Sequence, residues 1–482
     1  MINVDSRLLS DKILAEFGYE PTVGQGKVIE MLSGFISSGV EPGRRNAFLL
    51  KGYAGTGKTT LVSALVKVLP VVGLQSVLLA PTGRAAKVLA AYSQKQANTI
   101  HRKIYKAFTG EDGRMTMLPA PNPHKNTIFI VDEASMIQGP NGSTEAGIYS
   151  HRDLLDDLIE YVYKNEGCKL LLIGDKAQLP PVGTNESPAL EPEVLQNKYH
   201  LDVSIFELNE VVRQALLSGI LTNATYLRMK VGEETPETPF FNLKGFKDIR
   251  SIDGTEFEDA LNSCYDRFGF DNTVIITRSN KRANLFNNEV RRRVLFRETE
   301  LSAGDIMMVT KNNYFWIPIS SKAGFIANGD IIEVRRIIRK WEMYGYHFAD
   351  LIVQLVDYPE MDVIEIRMLL ESVNVEKPSM PAEDMMKLHD EIMLDYTELS
   401  SRSAKMEKIR NDPYYNAVQA KFAYALTCHK TQGGQWDAVF IDTGYLKTEM
   451  IDASFIRWLY TAVTRASKEL YLVNFNPIFF TE

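Results

Sequence analysis

At 482 residues the chain is too long for one compact core, so roughly two to four domains are expected. A composition of 45% apolar, 24% charged and 10% aromatic residues is that of a soluble globular protein, and the net charge of −7 excludes blanket electrostatic adhesion to nucleic acid or membrane while leaving room for a local basic groove. Cys168, Cys264 and Cys428 are far apart with no Cys-x-x-Cys pairing, which argues against a disulfide framework or a zinc ribbon. The apolar stretch Leu61–Ala80 is broken by Lys67, Pro70 and Gly73, and the N-terminus carries Asp5 and Asp11 where a signal peptide would be basic and then apolar. These features read as a soluble, cytoplasmic protein with no membrane association.

In chain order, the opening residues look helical and contain Thr22-Val23-Gly24-Gln25 ahead of Val28, Ile29, Met31 and Leu32. The Gln25 amide could hydrogen-bond both polar edge atoms of adenine, or it could be an ordinary solvated helix residue. Next comes Gly52-Tyr53-Ala54-Gly55-Thr56-Gly57-Lys58-Thr59-Thr60, between the strand-like Ala47–Leu50 and the helix-compatible Leu61–Val66. Glycines at this spacing clear side chains away so that phosphates can lie against backbone N–H groups. The following helix N-terminus adds a partial positive charge. Lys58 can reach the outer phosphates, and Thr59 offers a hydroxyl to Mg²⁺. The stretch therefore predicts a Mg²⁺-dependent nucleoside triphosphatase.

Gln75–Ala80 reads as a buried strand running into Pro81-Thr82-Gly83, where a hydroxyl, small residues and a helix start could seat a nucleic-acid phosphate. Thr99-Ile100-His101-Arg102 offers a second such cluster, and each of the two also reads as a helix cap. Residues 103–126 predict an inserted hairpin turning at Glu111-Asp112-Gly113, and Phe108 and Met117 are candidates for a wedge between strands. The apolar run Thr127–Val131 ends in Asp132-Glu133. An acid there can orient Mg²⁺, and its neighbour can polarise the attacking water. Lys169–Ile173 repeats the design and leads to Gly174-Asp175-Lys176-Ala177-Gln178, where Gln178 could touch the outer phosphate or the water. Strands alternating with helical intervals indicate a doubly wound parallel sheet with ligands at its carboxyl edge.

From Asp271 a second parallel core begins with Thr273–Thr277 and resumes with Tyr424–Thr427, Trp436–Ile441 and Glu469–Val473, without a phosphate loop of its own. Between Arg278 and Arg297, the residues Lys281, Arg282, Arg291, Arg292 and Arg293 face only Glu289. This run reads either as a solvated helix face or as an electrostatic groove that follows a strand. Residues 301–413 interrupt the core with short strands at Asp305–Val309, Asp330–Ile338, Asp350–Val356 and Asp362–Met368, and Asn328-Gly329 supplies turn chemistry. They predict a small β-barrel. Tyr314-Phe315-Trp316 could stack on bases or belong to its core. Met385, Leu388, Ile392, Tyr396 and Leu399 then mark an amphipathic helix.

Taken as an ordered set, Gln25, the phosphate loop, Ala80-Pro81-Thr82, Thr99-Ile100-His101, Val131–Ser135 and Gly174–Gly183 resemble the motifs of superfamily 1 helicases, with the RecD/Dda-like group of superfamily 1B as the nearest likeness. The likeness continues through Glu207–Gln214, Phe422–Gly433 and Leu459–Ala466, and so spans residues 22–475. Gly433-Gly434 departs from the pattern, since relatives often have a bulkier or hydroxylated residue after the first glycine. The resemblance implies two RecA-like parallel-sheet domains in tandem: residues 1–205 with the hairpin, then 206–300 with 414–482, and an SH3-like barrel plus helix at 301–413.

It further implies that Arg213 and Arg465 act on the γ-phosphate, that Gln432 contacts nucleotide, and that Thr427, His429 and Lys430 contact DNA beside Pro81, Thr82, Thr99 and His101. The implied activity is an ATP- and Mg²⁺-dependent DNA helicase that runs 5′→3′ on single strands. It would act as a monomer at duplex junctions alongside replication or repair proteins. The same ATPase residues would serve a translocase or protein-displacing remodeller that leaves the duplex paired. A binding module without turnover would need a broken catalytic acid, and Glu133 is present.

Overall fold

The computed structural model describes residues 5–39, 43–109, 115–138, 153–212, 217–233, 237–318, 321–399 and 401–480. The first sheet is built from β1 (Asn46–Gly52), β2 (Gln75–Ala80), β3 (Ala97–Thr99), β6 (Thr127–Val131), β7 (Lys169–Gly174) and β8 (Asp202–Leu208), and an antiparallel hairpin of β4 (Tyr105–Thr109) and β5 (Met115–Pro119) is inserted between β3 and β6. The six strands are parallel in the order β3-β2-β6-β7-β1-β8. Helices cover both faces, so the inner strands can be apolar along their whole length; every residue of β6 and β7 is buried. The order places β6, β7 and β1 side by side. Lys51 pairs with Gly174, and Val131 with Leu172, so the segments leaving the three strands emerge together at one edge.

The second parallel sheet contains β9 (Ile249–Ile252) and β10 (Thr273–Thr277). Between β10 and its return strands the chain forms the antiparallel set β11 (Ile306–Val309), β12 (Ile331–Met343), β13 (Tyr346–Leu355), β14 (Ile364–Leu369) and β15 (Ala420–Phe422). It then returns through β16 (Ala425–Thr427), β17 (Trp436–Asp442) and β18 (Ala466–Val473), giving the parallel order β16-β10-β17-β18-β9. The antiparallel set closes on itself, because Leu369 N–H donates to Val418 O (3.0 Å) and Val418 N–H to Arg367 O (2.7 Å) just before β15. Closure of this kind removes exposed edges, as in a small barrel. β8 carries the first sheet past residue 205, and β15 carries the barrel past 413.

Three details differ from the sequence expectations. β12 and β13 form one long hairpin through Tyr344-Gly345, both with positive φ (56° and 73°), where shorter strands ending at 338 and restarting at 350 were expected. Beyond Val334 the β12 arm of this hairpin is largely exposed, so it lacks the alternating apolar pattern that marks a half-buried strand. The helix after the barrel spans Ala382–Leu394 and buries Leu388 and Ile392 with Phe348, Leu369 and Ile409, ending before Leu399. The aromatic trio is mostly packed: Tyr314 lies 4.8 Å from the Phe325 ring, and Trp316 donates its indole N–H to Asn416 O (2.7 Å), while Phe315 is 37% exposed.

The basic run is not an open groove. Arg291 is 5% exposed and grips Asp305 with two hydrogen bonds (3.1 and 3.0 Å) beneath the Phe422 ring. Arg297 shares that carboxylate at 2.7 Å. Arg292 pairs with Glu289, Arg293 with Glu258, Arg282 with Asp442, and Lys281 with Glu376. Acids from distant parts of the chain neutralise what looked like a local excess of positive charge. All three cysteines are free and buried. No helix among the described residues is long and apolar enough to cross a membrane.

Replacing Arg291 with Ala leaves the Asp305 charge buried and half-paired, so stability in urea should fall by about 3–5 kcal/mol. Arg292→Ala and Arg293→Ala should each cost about 1 kcal/mol or less, because those pairs are solvated. Equal losses at all three positions would contradict the burial argument.

Candidate nucleotide site between the two parallel sheets

The loop after β1 is shaped by close approach. Gly55 and Gly57 have φ of 76° and 80°, the left-handed region that glycine enters without a Cβ clash. A Cβ on Gly57 would lie 2.5 Å from Gln25 Nε2, and one on Gly52 would lie 3.1 Å from Leu208 Cβ, Lys58 Cδ and Thr56 Oγ1. Thr56 is fully buried and donates its hydroxyl to Tyr53 O (2.8 Å). Lys58 curls back over the loop and gives its ammonium protons to Gly52 O (2.6 Å) and Tyr53 O (2.7 Å). Thr59 and Thr60 sit half-buried in the first turn of the helix Lys58–Val71.

The structure directs Gln25 toward the loop and not toward a base. Its Nε2 donates to Thr56 O (2.9 Å), and its Oε1 accepts from Thr22 N–H (2.9 Å) in a capping box with the Thr22 hydroxyl. Both ends of the amide are used, and the residue is 1% exposed. Through these bonds Gln25 braces the phosphate loop.

Asp132 and Glu133 leave β6 beside the loop. Glu133 has φ of 51° and donates its backbone N–H to Asp132 Oδ1 (2.9 Å). Burial raises the pKa of both carboxyls; Arg465 and Lys58 partly offset this at Glu133, and the Glu133 N–H and Lys58 do so at Asp132. Gln178 is 6% exposed, and its Oε1 has no partner among the described residues; nor does the buried Ser135 hydroxyl. Half-buried acids, a cation and an unanswered acceptor beside a glycine-lined loop form a site that a polar ligand would complete.

The second sheet supplies the opposite wall. The helix Ala453–Val463 begins with Asp452 capping the Phe455 N–H (2.7 Å) and presents Tyr460 and Thr461 to the first sheet. The Tyr460 hydroxyl accepts from Ala54 N–H (3.0 Å) and donates to Asp175 Oδ2 (2.5 Å). Thr461 Oγ1 accepts from Leu179 N–H (2.9 Å), and Gln432 Nε2 donates to Leu179 O (2.5 Å). Arg465 is 3% exposed; it donates to Thr461 O and Gly434 O (both 3.1 Å), and its guanidinium lies 3.9 Å from Glu133 Oε1. Arg213 lies outside the described residues; its neighbour Val212 donates its N–H to Gly55 O (3.1 Å). Sequence reasoning assigned no role to Tyr460, nor to Tyr53, whose hydroxyl donates to Glu207 (2.9 Å) under the Arg228 guanidinium (4.5 Å from the ring).

The residues expected at nucleic acid fall into two groups. The Thr82 and Thr99 side chains cap helices by accepting the N–H of Ala85 and Arg102 (both 3.2 Å), and Pro81 is half-buried beside Thr82. Burial lowers the His101 pKa to about 4, so its ring is neutral at neutral pH. Across from them, Thr427 precedes the turn Cys428–Thr431 without a side-chain cap bond, His429 is exposed, and Lys430 is half-buried. The Lys430 pKa falls to about 8 through burial and the neighbouring Lys421. The two groups meet through Gly433, where a Cβ would lie 2.8 Å from Ala85 Cβ and 3.2 Å from Thr82 Oγ1. A Cβ on Gly434 would strike the Trp436 ring at 2.5 Å. The glycine pair that departs from the family pattern is thus what permits close contact here. The side chains of Phe108 and Met117 lie outside the described structure.

Residues 40–238 match the AAA domain family, and residues 422–473 match the UvrD-like helicase C-terminal domain. An uncharacterised protein of Acanthamoeba polyphaga mimivirus is 20% identical over 88% of this chain and 94% of its own length. The ATP-dependent DNA helicase dda of Enterobacteria phage T4 is 26% identical over 55% of this chain and 56% of its own. The ATP-dependent RecD2 DNA helicase of Deinococcus radiodurans is 34% identical over 28% of this chain and 16% of its own.

If Gln25 braces the loop, Gln25→Ala should weaken binding of ATP and GTP alike, by about tenfold for the loss of a buried hydrogen bond and a cap. A loss confined to adenine nucleotides, measured by fluorescence titration, would restore the base-reading role.

Proposed function

We propose that this chain, which belongs to the superfamily 1B helicases of the RecD/Dda-like group, hydrolyses ATP between its two parallel sheets to move 5′→3′ along single-stranded DNA and part the duplex ahead. The observation that carries the reading is the composite site. Lys58, Asp132 and Glu133 come from the first sheet, and Arg465, from the second, lies 3.9 Å from the Glu133 carboxylate.

The residues present fit a nucleotide and Mg²⁺. Gly52 and Gly57 let Leu208, Lys58, Thr56 and Gln25 close tightly on the loop, and Gln178 Oε1 is a buried acceptor without a partner among the described residues. Thr59 and Asp132 would hold Mg²⁺, which when bound neutralises phosphate charge. Lys58 exchanges its two loop carbonyls for phosphate oxygens. Glu133 takes the proton of the attacking water, and its raised pKa makes it a stronger base for that task. Gln178 orients the water through its unused oxygen. Arg465, with Arg213, meets the charge that develops on the transferred phosphoryl group. Leu179, next to Gln178, is held at its N–H by Thr461 and at its carbonyl by Gln432, so a change at the phosphate reaches the strand-binding turn 427–431.

Three results would test this. Lys58→Ala should lower ATP turnover by about three orders of magnitude with strand binding kept; near-normal hydrolysis would overturn the site. On forked DNA, unwinding should need a 5′ tail, and the loss of a protein block from the tail with the duplex intact would favour a protein-displacing translocase. Strand affinity should fall between pH 7 and 9, because Lys430 is charged below about 8 and loses its proton above it; Lys430→Arg should flatten that profile.

A further inference from the structure

We propose that the Tyr460 hydroxyl is a place-holder for an oxygen of the terminal phosphate, and that it thereby sets the preference of the site between tri- and diphosphate; this rests on the ATPase reading above. The Tyr460 side chain is fully buried, and its oxygen takes the Ala54 N–H at 3.0 Å while its proton goes to Asp175 Oδ2 at 2.5 Å. N–H groups of a glycine-rich loop are what phosphate oxygens bind, and the phenol satisfies one of them without an anion. Asp175 holds the phenol in that position by accepting its proton.

A phosphate oxygen at Ala54 must displace the phenol. Thr461, the next residue of the same helix, contacts Leu179, and Arg465, just beyond the helix end, faces Glu133. A diphosphate that does not reach Ala54 leaves the phenol seated. Tyr460 is accordingly a positioning and specificity-determining residue. Removing a competitor for one ligand and not the other shifts the affinity of that ligand alone.

The test is equilibrium binding of a non-hydrolysable ATP analogue and of ADP, both with Mg²⁺, to the full chain and to Tyr460→Phe, Asp175→Asn and Thr461→Val. Tyr460→Phe keeps the buried ring, and it should tighten the analogue about tenfold with ADP changed by no more than about twofold. Asp175→Asn loosens the hold on the phenol and should shift the same ratio in the same direction, which keeps the test open if Tyr460→Phe folds poorly. Thr461→Val loosens the same interface away from Ala54 and should leave the ratio alone. The proposal is overturned if the analogue binds more weakly, if both nucleotides shift together, if the ratio does not move, or if Thr461→Val reproduces the effect. A wild-type chain that binds neither nucleotide would sink the ATPase reading itself.

Discussion

The N–H and C=O groups of a tight glycine turn crowd together, and one left buried without a partner costs roughly 1–3 kcal/mol. The turn after β1 is where the rest of the architecture meets that demand. Thr56 N–H and hydroxyl fold onto Tyr53 O, Lys58 gives its protons to Gly52 and Tyr53 carbonyls, Gln25 holds Thr56 O, and Ala54 N–H goes to a tyrosine from the second sheet. The strand order β6-β7-β1 sets the acids beside the same turn. Loop and opposing wall are thus joined by hydrogen bonds, and neither could be moved without leaving a polar group of the other unanswered, while the Glu133 carboxylate faces Arg465 across 3.9 Å.

Contact between the sheets extends beyond that unit. The Arg84 guanidinium lies 3.9 Å over the Trp436 ring and donates to Gln435 O (3.0 Å) and Asp271 O (3.1 Å), in the space kept clear by Gly433 and Gly434. The barrel touches the first sheet's helices as well, through Arg102 to the Tyr358 hydroxyl (3.1 Å) and Lys87 to Asp357 (3.2 Å). These contacts are polar, and beside them the apolar cluster of the second sheet and barrel also takes in Ala177 and Leu179 from the first part.

The parallel strands were legible because a strand covered on both faces is apolar throughout, and β1, β2, β6 and β7 are such runs. The loop and the acid pair were legible because their chemistry needs those residue types at short spacing. Tyr460 was not, since a tyrosine between Leu459 and Thr461 in an apolar helix reads as core, and its two partners lie 406 and 285 positions away. The bracing role of Gln25 was missed although its signal was local, since Thr22 and Gln25 have the spacing of a capping box. The basic run shows the opposite failure. Charge counted along the sequence missed Glu258, Asp305, Glu376 and Asp442, which only folding brings alongside.

The backbone of Glu133 holds the left-handed conformation without being glycine or asparagine. An L-residue with a long side chain occupies that region at a cost of about 1–2 kcal/mol, and here the residue also buries a carboxyl beside a second one. Glycine would relieve both burdens and abolish the acid. On the proposal that Glu133 is the base, the substitution that relieves the strain also removes the activity. Selection for stability alone would then erode the position, and the acid would persist only while that activity is under selection.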